Sequence, residues 1–480
     1  MVKSLLLTLP LLLGSLPSAS AFWRLECRGV LGTGRIDPLV NPGVPADHSH
    51  TIFGGQDFSF STTPYDLNSS DCTSCIVTQD KSSYWTPSLY FQSDDGTFTE
   101  VENNGGMLAY YLLYGDNITA FPQGFSMISG DNNRRSFDLP VPDPPKSEWT
   151  GSAVTQSALA QKAIGWNCLN YGKTAEASLY RHTMPTKEYM DANCTDGMRI
   201  ELMFPSCWNG KDVSSSDHKS HVAFPDLVMT GTCPDGYETR LPSLFYETIW
   251  DTYAFKGKSG QFVLSNGDTT GCGYHGDFMM GWESTEFLQE AVDTCTYESG
   301  EVEDCGVFDL QSDSVAQECT LTTPSAIADE DVTGPMSTLP GNVKVYTAVD
   351  ATTSASSGGS VSVSYATSAS SSDLGYSAAP TSSSESYGGI FAQVVSTSAS
   401  STLTTSTSAA AITSAPASTD DAADQILYTS IYTSNGEEVH MVMVQEDVTV
   451  TVSATTTLSP KPKLRMDKRH IHRHARKDRL

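Results

Sequence analysis

Three short polar motifs hold the residues whose types and spacing suit acid–base or metal chemistry. The first is Asp47-His48-Ser49-His50-Thr51-Ile52-Phe53-Gly54-Gly55. In an extended chain the i,i+2 spacing puts His48 and His50 on one face of a strand. Two imidazoles side by side can bind substrate or a divalent metal, and the Gly pair lets backbone approach a ligand closely. The second is Ser265-Asn266-Gly267-Asp268 followed by Tyr274-His275-Gly276-Asp277-Phe278. Asn-Gly favours a tight turn, and a strand after it puts His275 and Asp277 on one face, with Tyr274, Gly276 and Phe278 on the other. A histidine beside a carboxylate is a general base with its orienting partner, or an N/O metal site. The third, Asp217-His218-Lys219-Ser220-His221 running on to Pro225-Asp226, adds His221 and Asp226 to the same chemistry. In a catalytic reading His221, His275 and Asp277 are the acid/base groups, while His48 and His50 bind substrate or metal. In a structural reading the same residues are polar loop and turn groups. His182 and His218 stand among charged and turn residues and are expected at the surface.

Carboxylates are too numerous to pick a glycosidase pair by counting. Glu247 stands out as a lone acid in the apolar run Leu244–Trp250, where desolvation would raise its pKa toward general-acid use. Strand alternation could equally turn it to solvent. Asp80, just before Lys81-Ser82-Ser83-Tyr84-Trp85, and Asp268 are further candidates. The chain has no GxSxG elbow, no phosphate-binding loop and no dinucleotide fingerprint. Cys72-Thr73-Ser74-Cys75 lacks the context of a redox motif and reads as structural.

The elements that must position these residues are mostly strands. Residues 84–91, 107–114, 199–204, 245–255 and 261–265 are aromatic or β-branched runs bounded by Gly, Asn, Asp or Pro. Helical periodicity is confined to 153–163 and to 284–295, where Phe287, Leu288, Ala291, Val292 and Cys295 share one face. The pattern predicts a mainly antiparallel β-sandwich or jelly-roll-like core with a few short helices.

All seven Trp and all eleven Cys lie between Trp23 and Cys319, so residues 22–320 read as one disulfide-bonded domain. The odd count leaves one thiol unpaired. Trp85, Trp208 and Trp282 are candidates for stacking on sugar rings if exposed. Residues 1–21 read as a signal peptide, with Lys3, the apolar run 5–16 and Ala19-Ser20-Ala21. Asn68, Asn117 and Asn193 stand in glycosylation sequons. The net charge is −28, and residues 461–480 are basic, so the rest is more acidic still. Such acidity argues against nucleic-acid partners, because phosphate contacts need clustered cations. No apolar run reaches the roughly 20 residues of a membrane span.

From about 321 the composition shifts. About half of residues 351–420 are Ser or Thr, which cannot bury enough apolar area to order, so 321–460 read as a disordered, O-glycosylated stalk. Within it 425–452 alternates around Asn435-Gly436 as a hairpin or an unordered apolar patch would. The cationic His-bearing tail, 461–480, is open to three readings: a contact to acidic glycans, a propeptide cut after Lys468-Arg469, or a solvated end.

Several of these motifs occur together in one order: Phe22-Trp23-Arg24-Leu25-Glu26-Cys27, Arg35-Ile36-Asp37-Pro38, His48-Ser49-His50, Asp80 with Tyr84-Trp85, Asn209-Gly210, His221-Val222-Ala223-Phe224-Pro225, Asn266-Gly267-Asp268, and His275-Gly276-Asp277-Phe278 with Gly281-Trp282. In this, residues 22–305 resemble the secreted fungal domain-of-unknown-function family numbered nineteen-ninety-six. The resemblance implies an extracellular, cell-wall-associated protein and supports treating the histidine motifs as one site. It supplies no activity. Processing of an extracellular polysaccharide and non-catalytic glycan binding or adhesion are the two functions to weigh.

Overall fold

A computed structural model describes residues 21–346 apart from Glu298, together with strands at 425–434, 437–447 and 469–476. The expected leader, most of the Ser/Thr-rich segment and much of the basic tail lie outside the described residues. The chain divides into two compact units, 1–389 and 390–480. In the second, Gln425–Ser434 pairs antiparallel with Glu437–Asp447, and this strand pairs with Arg469–Arg476. The strands on either side of 435–436 thus pair as a hairpin requires, while 435–436 themselves lie outside the described residues.

The first unit is built on two five-stranded antiparallel sheets. One runs Ala21–Cys27, Asn103–Leu113, Ser243–Trp250, Met198–Met203, Ile164–Cys168; the other Gly32–Gly34, His50–Gly54, Ser83–Pro87, His275–Met279, Ser126–Gly130. Their facing sides form the core. Leu25, Ala109, Tyr111, Ile200, Leu202, Leu244 and Tyr246 of the first sheet meet Phe53, Tyr84, Met127 and Phe278 of the second. The Tyr84 and Tyr246 rings lie 5.7 Å apart, edge to face, and the Tyr246 hydroxyl donates to the Asp277 carbonyl at 2.9 Å. This is the expected sandwich. Alternation along each strand sends every second residue away from this core.

The second sheet's other face is also covered. Ile52, Trp85 and Met279 pack there with Leu31, Ile36, Phe58, Leu67, Cys319 and Ile327. The cover runs past the compositional break at 320. Leu321 and Ile327 join it and Arg35 pairs with Glu330 at 2.8 Å, while farther on Leu339 and Met336 pack in a separate cluster with Tyr90, Phe98 and Val263. Residues 321–346 therefore belong to the fold and not to the stalk, because their few apolar side chains find an apolar face that composition alone does not reveal.

The predicted helices form at Gln156–Lys162 and Thr285–Thr294. In the latter the Ser284 side chain accepts from the Phe287 amide as N-cap, and Leu288, Ala291 and Val292 are buried. Five disulfides join Cys27–Cys75, Cys72–Cys319, Cys168–Cys194, Cys207–Cys233 and Cys295–Cys305. Cys72 and Cys75 thus bond elsewhere and not to each other. The unpaired thiol is Cys272, which is buried. Trp85 and Trp282 are fully buried and Trp208 nearly so, which removes all three as sugar-stacking surfaces.

Candidate metal centre

His50 opens the His50–Gly54 strand and His275 opens the His275–Met279 strand, two strands away in the same sheet. Ile52, Trp85, Asp277 and Ile128 lie directly opposite one another across the sheet, so His50 and His275, two residues along, share that face. His48 follows the same alternation just before the strand. The three rings converge, with centroids 4.3 Å (His48–His50), 5.1 Å (His48–His275) and 5.8 Å (His50–His275) apart. One nitrogen from each ring falls within 4.8 Å of the others. All three are buried, at 6%, 0% and 5% exposure.

Hydrogen bonding assigns the rings different parts. The Nδ1 of His275 lies 3.0 Å from the Gly273 carbonyl, which can only accept, so Nδ1 carries the proton and Nε2 presents its lone pair. That Nε2 is 3.2 Å from Nε2 of His48. Neither nitrogen of His50 has a well-formed hydrogen bond, although the Ile36 backbone weakly favours its proton. Burial, then mutual repulsion, holds the His48 and His50 pKa values well below the usual histidine range. Burial likewise brings His275 down to about 4, with Lys219 and Arg135 adding to the effect against Asp131 and the Gly273 hydrogen bond. The rings are therefore neutral, as ligands must be.

The donor set fits an ion. Two imidazole nitrogens at about 2.0–2.1 Å from a tetrahedral zinc lie roughly 3.3 Å apart, close to the His48–His275 separation. A buried imidazole with two unpartnered nitrogens is costly unless something fills the gap. An all-imidazole set favours zinc or copper over calcium or magnesium.

The other predicted residues separate. Asp277 shares the face of His275 but does not orient it. Both its oxygens are buried without a hydrogen-bond partner, and burial with nearby Asp37 raises its pKa well above the carboxylate range against the pull of Lys219. The expected His275–Asp277 pair is therefore not formed, because the Gly273 carbonyl takes the Nδ1 proton. His221 lies apart from the three. It bonds the Ser215 hydroxyl at 3.0 Å and packs on Phe125, since Val222 and Ala223 pair in a separate small sheet. Asp226 accepts from the Thr232 amide in a turn of its own. Asp80 is a core hub, accepting from the Ser82 amide and the Tyr84 hydroxyl, with burial raising it to about 6. Asp268 is fully buried and binds the loop leading to His275. His182, expected at the surface, is buried between the Ile164 carbonyl and Asp143.

Glu247 is neither a free acid nor turned to solvent. It lies on the outer face of the first sheet, directly opposite Glu201. Tyr110 donates to it at 2.7 Å, and Arg199 lies 3.5 Å from Glu247 and 2.8 Å from Glu201. Glu201 also accepts from Asn167 and from the Leu179 amide. Glu201 and Arg199 were missed by sequence reading. Their signal was a charged pair at i,i+2 inside the apolar strand 198–203.

The sequons place Asn68 and Asn117 at the surface and Asn193 partly so, at the end of helix Lys187–Asn193. Among the described residues no helix is long and apolar enough to cross a membrane. The two surface grooves of note, one lined by Gln56, Asp57 and Ser59, the other by Thr33, Glu100 and Glu102, do not include the histidines.

No curated protein and no solved structure matches the chain. A family model does, over residues 37–282, which takes in all three histidines but is narrower than the 22–305 resemblance. Because that match spans more than half of the 480 residues, the protein belongs to the family described as Domain of unknown function (DUF1996).

Proposed function

We propose that this is a secreted, wall-associated protein of fungal type whose folded head binds a borderline divalent ion, zinc or copper, through His48, His50 and His275. The observation that carries the reading is the convergence of three buried, neutral imidazoles, one of them without a well-formed internal hydrogen bond. Bound there, the ion would act as a Lewis acid or as a structural cross-link. Asp277, with two unpartnered oxygens on the same face, would offer an acceptor for a hydrogen bond from water at a remaining position. Secretion is supported by the five disulfides, which persist in oxidising compartments.

Burial of the rings favours the non-catalytic role over polysaccharide processing at this site. A polymer needs an open cleft, and none of these imidazoles is more than 6% exposed. Glycan contact then falls to the stalk and the basic tail. The test is calorimetric titration of chelator-stripped protein with Zn²⁺ and Cu²⁺, beside a His48→Ala/His275→Ala double variant. One ion per chain, lost in the variant, supports the reading; binding that survives the double substitution removes it. Incubation with a panel of wall polysaccharides, with and without ion, checks the role. Ion-dependent chain cleavage would restore the enzyme.

A further inference from the structure

We infer that Asp268 is a positioning residue of the histidine centre, acting through backbone and without touching a ring, beside Asn266, whose Nδ2 donates to the same Gly273 carbonyl at 2.9 Å; this rests on the metal-binding reading. Asp268 is fully buried, seven residues before His275. Its Oδ1 accepts from the Thr270 amide at 2.8 Å and the Thr270 hydroxyl at 2.7 Å, and its Oδ2 accepts from the Gly273 amide at 2.7 Å. One carboxylate thus closes the loop 268–273 at both ends. The other side of the Gly273 residue, its carbonyl, receives the Nδ1 proton of His275. The loop is anchored from outside as well: Leu264 donates to the Asp268 carbonyl, and Arg135 donates to the Asn266 carbonyl.

The chemical consequence is a choice of tautomer. Only the Nδ1–H form can donate to a carbonyl, so a Gly273 carbonyl held in place leaves Nε2 as the lone-pair nitrogen facing His48. A loop free to turn this carbonyl away would let His275 carry its proton on Nε2, where it blocks coordination. Outer partners of this kind typically change metal affinity 10–100-fold when lost. An ordinary turn aspartate could do the same bonding with no such consequence; what distinguishes Asp268 is that the bonded amide and the ring-holding carbonyl belong to one residue.

The experiment uses the full secreted chain. In ¹⁵N-histidine-labelled, ion-free wild type, the His275 ring is expected as the Nδ1–H tautomer; an Nε2–H ring overturns the inference without recourse to any variant. In Asp268→Asn one end of the group becomes a donor facing a donor, so mixed tautomers and a 10–100-fold weaker Co²⁺ affinity are expected, with an altered Co²⁺ visible spectrum. Asp80→Asn, which unsettles another buried carboxylate away from the rings, should lower stability and leave Co²⁺ affinity unchanged. Equal Co²⁺ affinity in Asp268→Asn and wild type overturns the positioning role and leaves the metal reading intact. Wild type that binds no Co²⁺ overturns both.

Discussion

Each sheet buries a polar cluster on the face turned away from the shared core, and the two clusters are closed in opposite ways. On the first sheet Glu201 and Glu247 oppose each other, and Arg199, Tyr110, Asn167 and the Leu179 amide supply donors. That cluster carries its own counter-ion. On the second sheet three imidazoles meet with no carboxylate hydrogen-bonded to any of them, and His50 has both nitrogens unpartnered. Burial alone does not mark a ligand site. Unmet bonding capacity does.

The largest expected difference lies in the crosslinks. Cys72–Cys319 ties the layer over the histidine face across 247 residues, whereas Cys295–Cys305 spans 10. In the chain-entropy picture these loops contribute about 5 and about 3 kcal/mol. Cys72→Ser should therefore cost more in urea denaturation than Cys295→Ser, and it alone should speed modification of the histidines by diethyl pyrocarbonate. Equal losses would show that packing, and not the crosslink, holds this cover.

Next in size is removal of the internal counter-ion. Arg199→Met leaves two buried carboxylates facing each other and should cost about 3–5 kcal/mol, unaffected by chelator. His50→Leu in ion-free protein should cost under about 1 kcal/mol, because it deletes two unpaired nitrogens at similar volume. A reversed order would mean that the trio is closed internally after all. With ion at about 100 times its Kd, wild type should gain roughly 2.7 kcal/mol, and His50→Leu should lose that gain.

The clusters also differ in pH dependence, where they act with opposite sign. The ion-free imidazoles have folded pKa values below their unfolded value of 6.5, about 4 for His275, so the unfolded chain binds more protons. Their contribution is present above 6.5 and is lost as pH falls toward 4. Glu201 is pushed up to about 8, chiefly by burial and with Glu247 adding to it against Arg199, so the folded chain holds the extra proton. Its contribution is full below 4.5 and declines as pH rises toward 8. Thermal melts of ion-free protein should fall on both flanks. Glu201→Gln should flatten the alkaline flank, and His50→Leu the acid one. A single substitution that flattens both would show the clusters to be coupled.

Much of the site was legible beforehand. The HxH spacing and the period of the segment after Asn266-Gly267 placed His48 with His50, and His275 with Asp277, on common faces, and alternation is a local property. Which partner each polar atom would find was not legible. His275 turns to a carbonyl two residues back instead of to Asp277, and His221 is carried off by its own small sheet, because these outcomes depend on loop geometry and not on residue type. Glu247 showed the same limit: alternation sends it away from the core, but only Tyr110 and Arg199 decide that its other side is not water.

Residue order by itself determined the sandwich class, the crosslinked extent up to Cys319, the family and the motifs that hold the histidines, since these follow from period, composition and spacing along the chain. Tertiary structure alone decided that three of the imidazoles meet, that the sheet face they share is covered as far along the chain as Ile327, and that the acids form a separate, self-neutralised cluster. Strand order and loop closure bring together residues more than 200 positions apart, and no short-range pattern encodes which of them become neighbours.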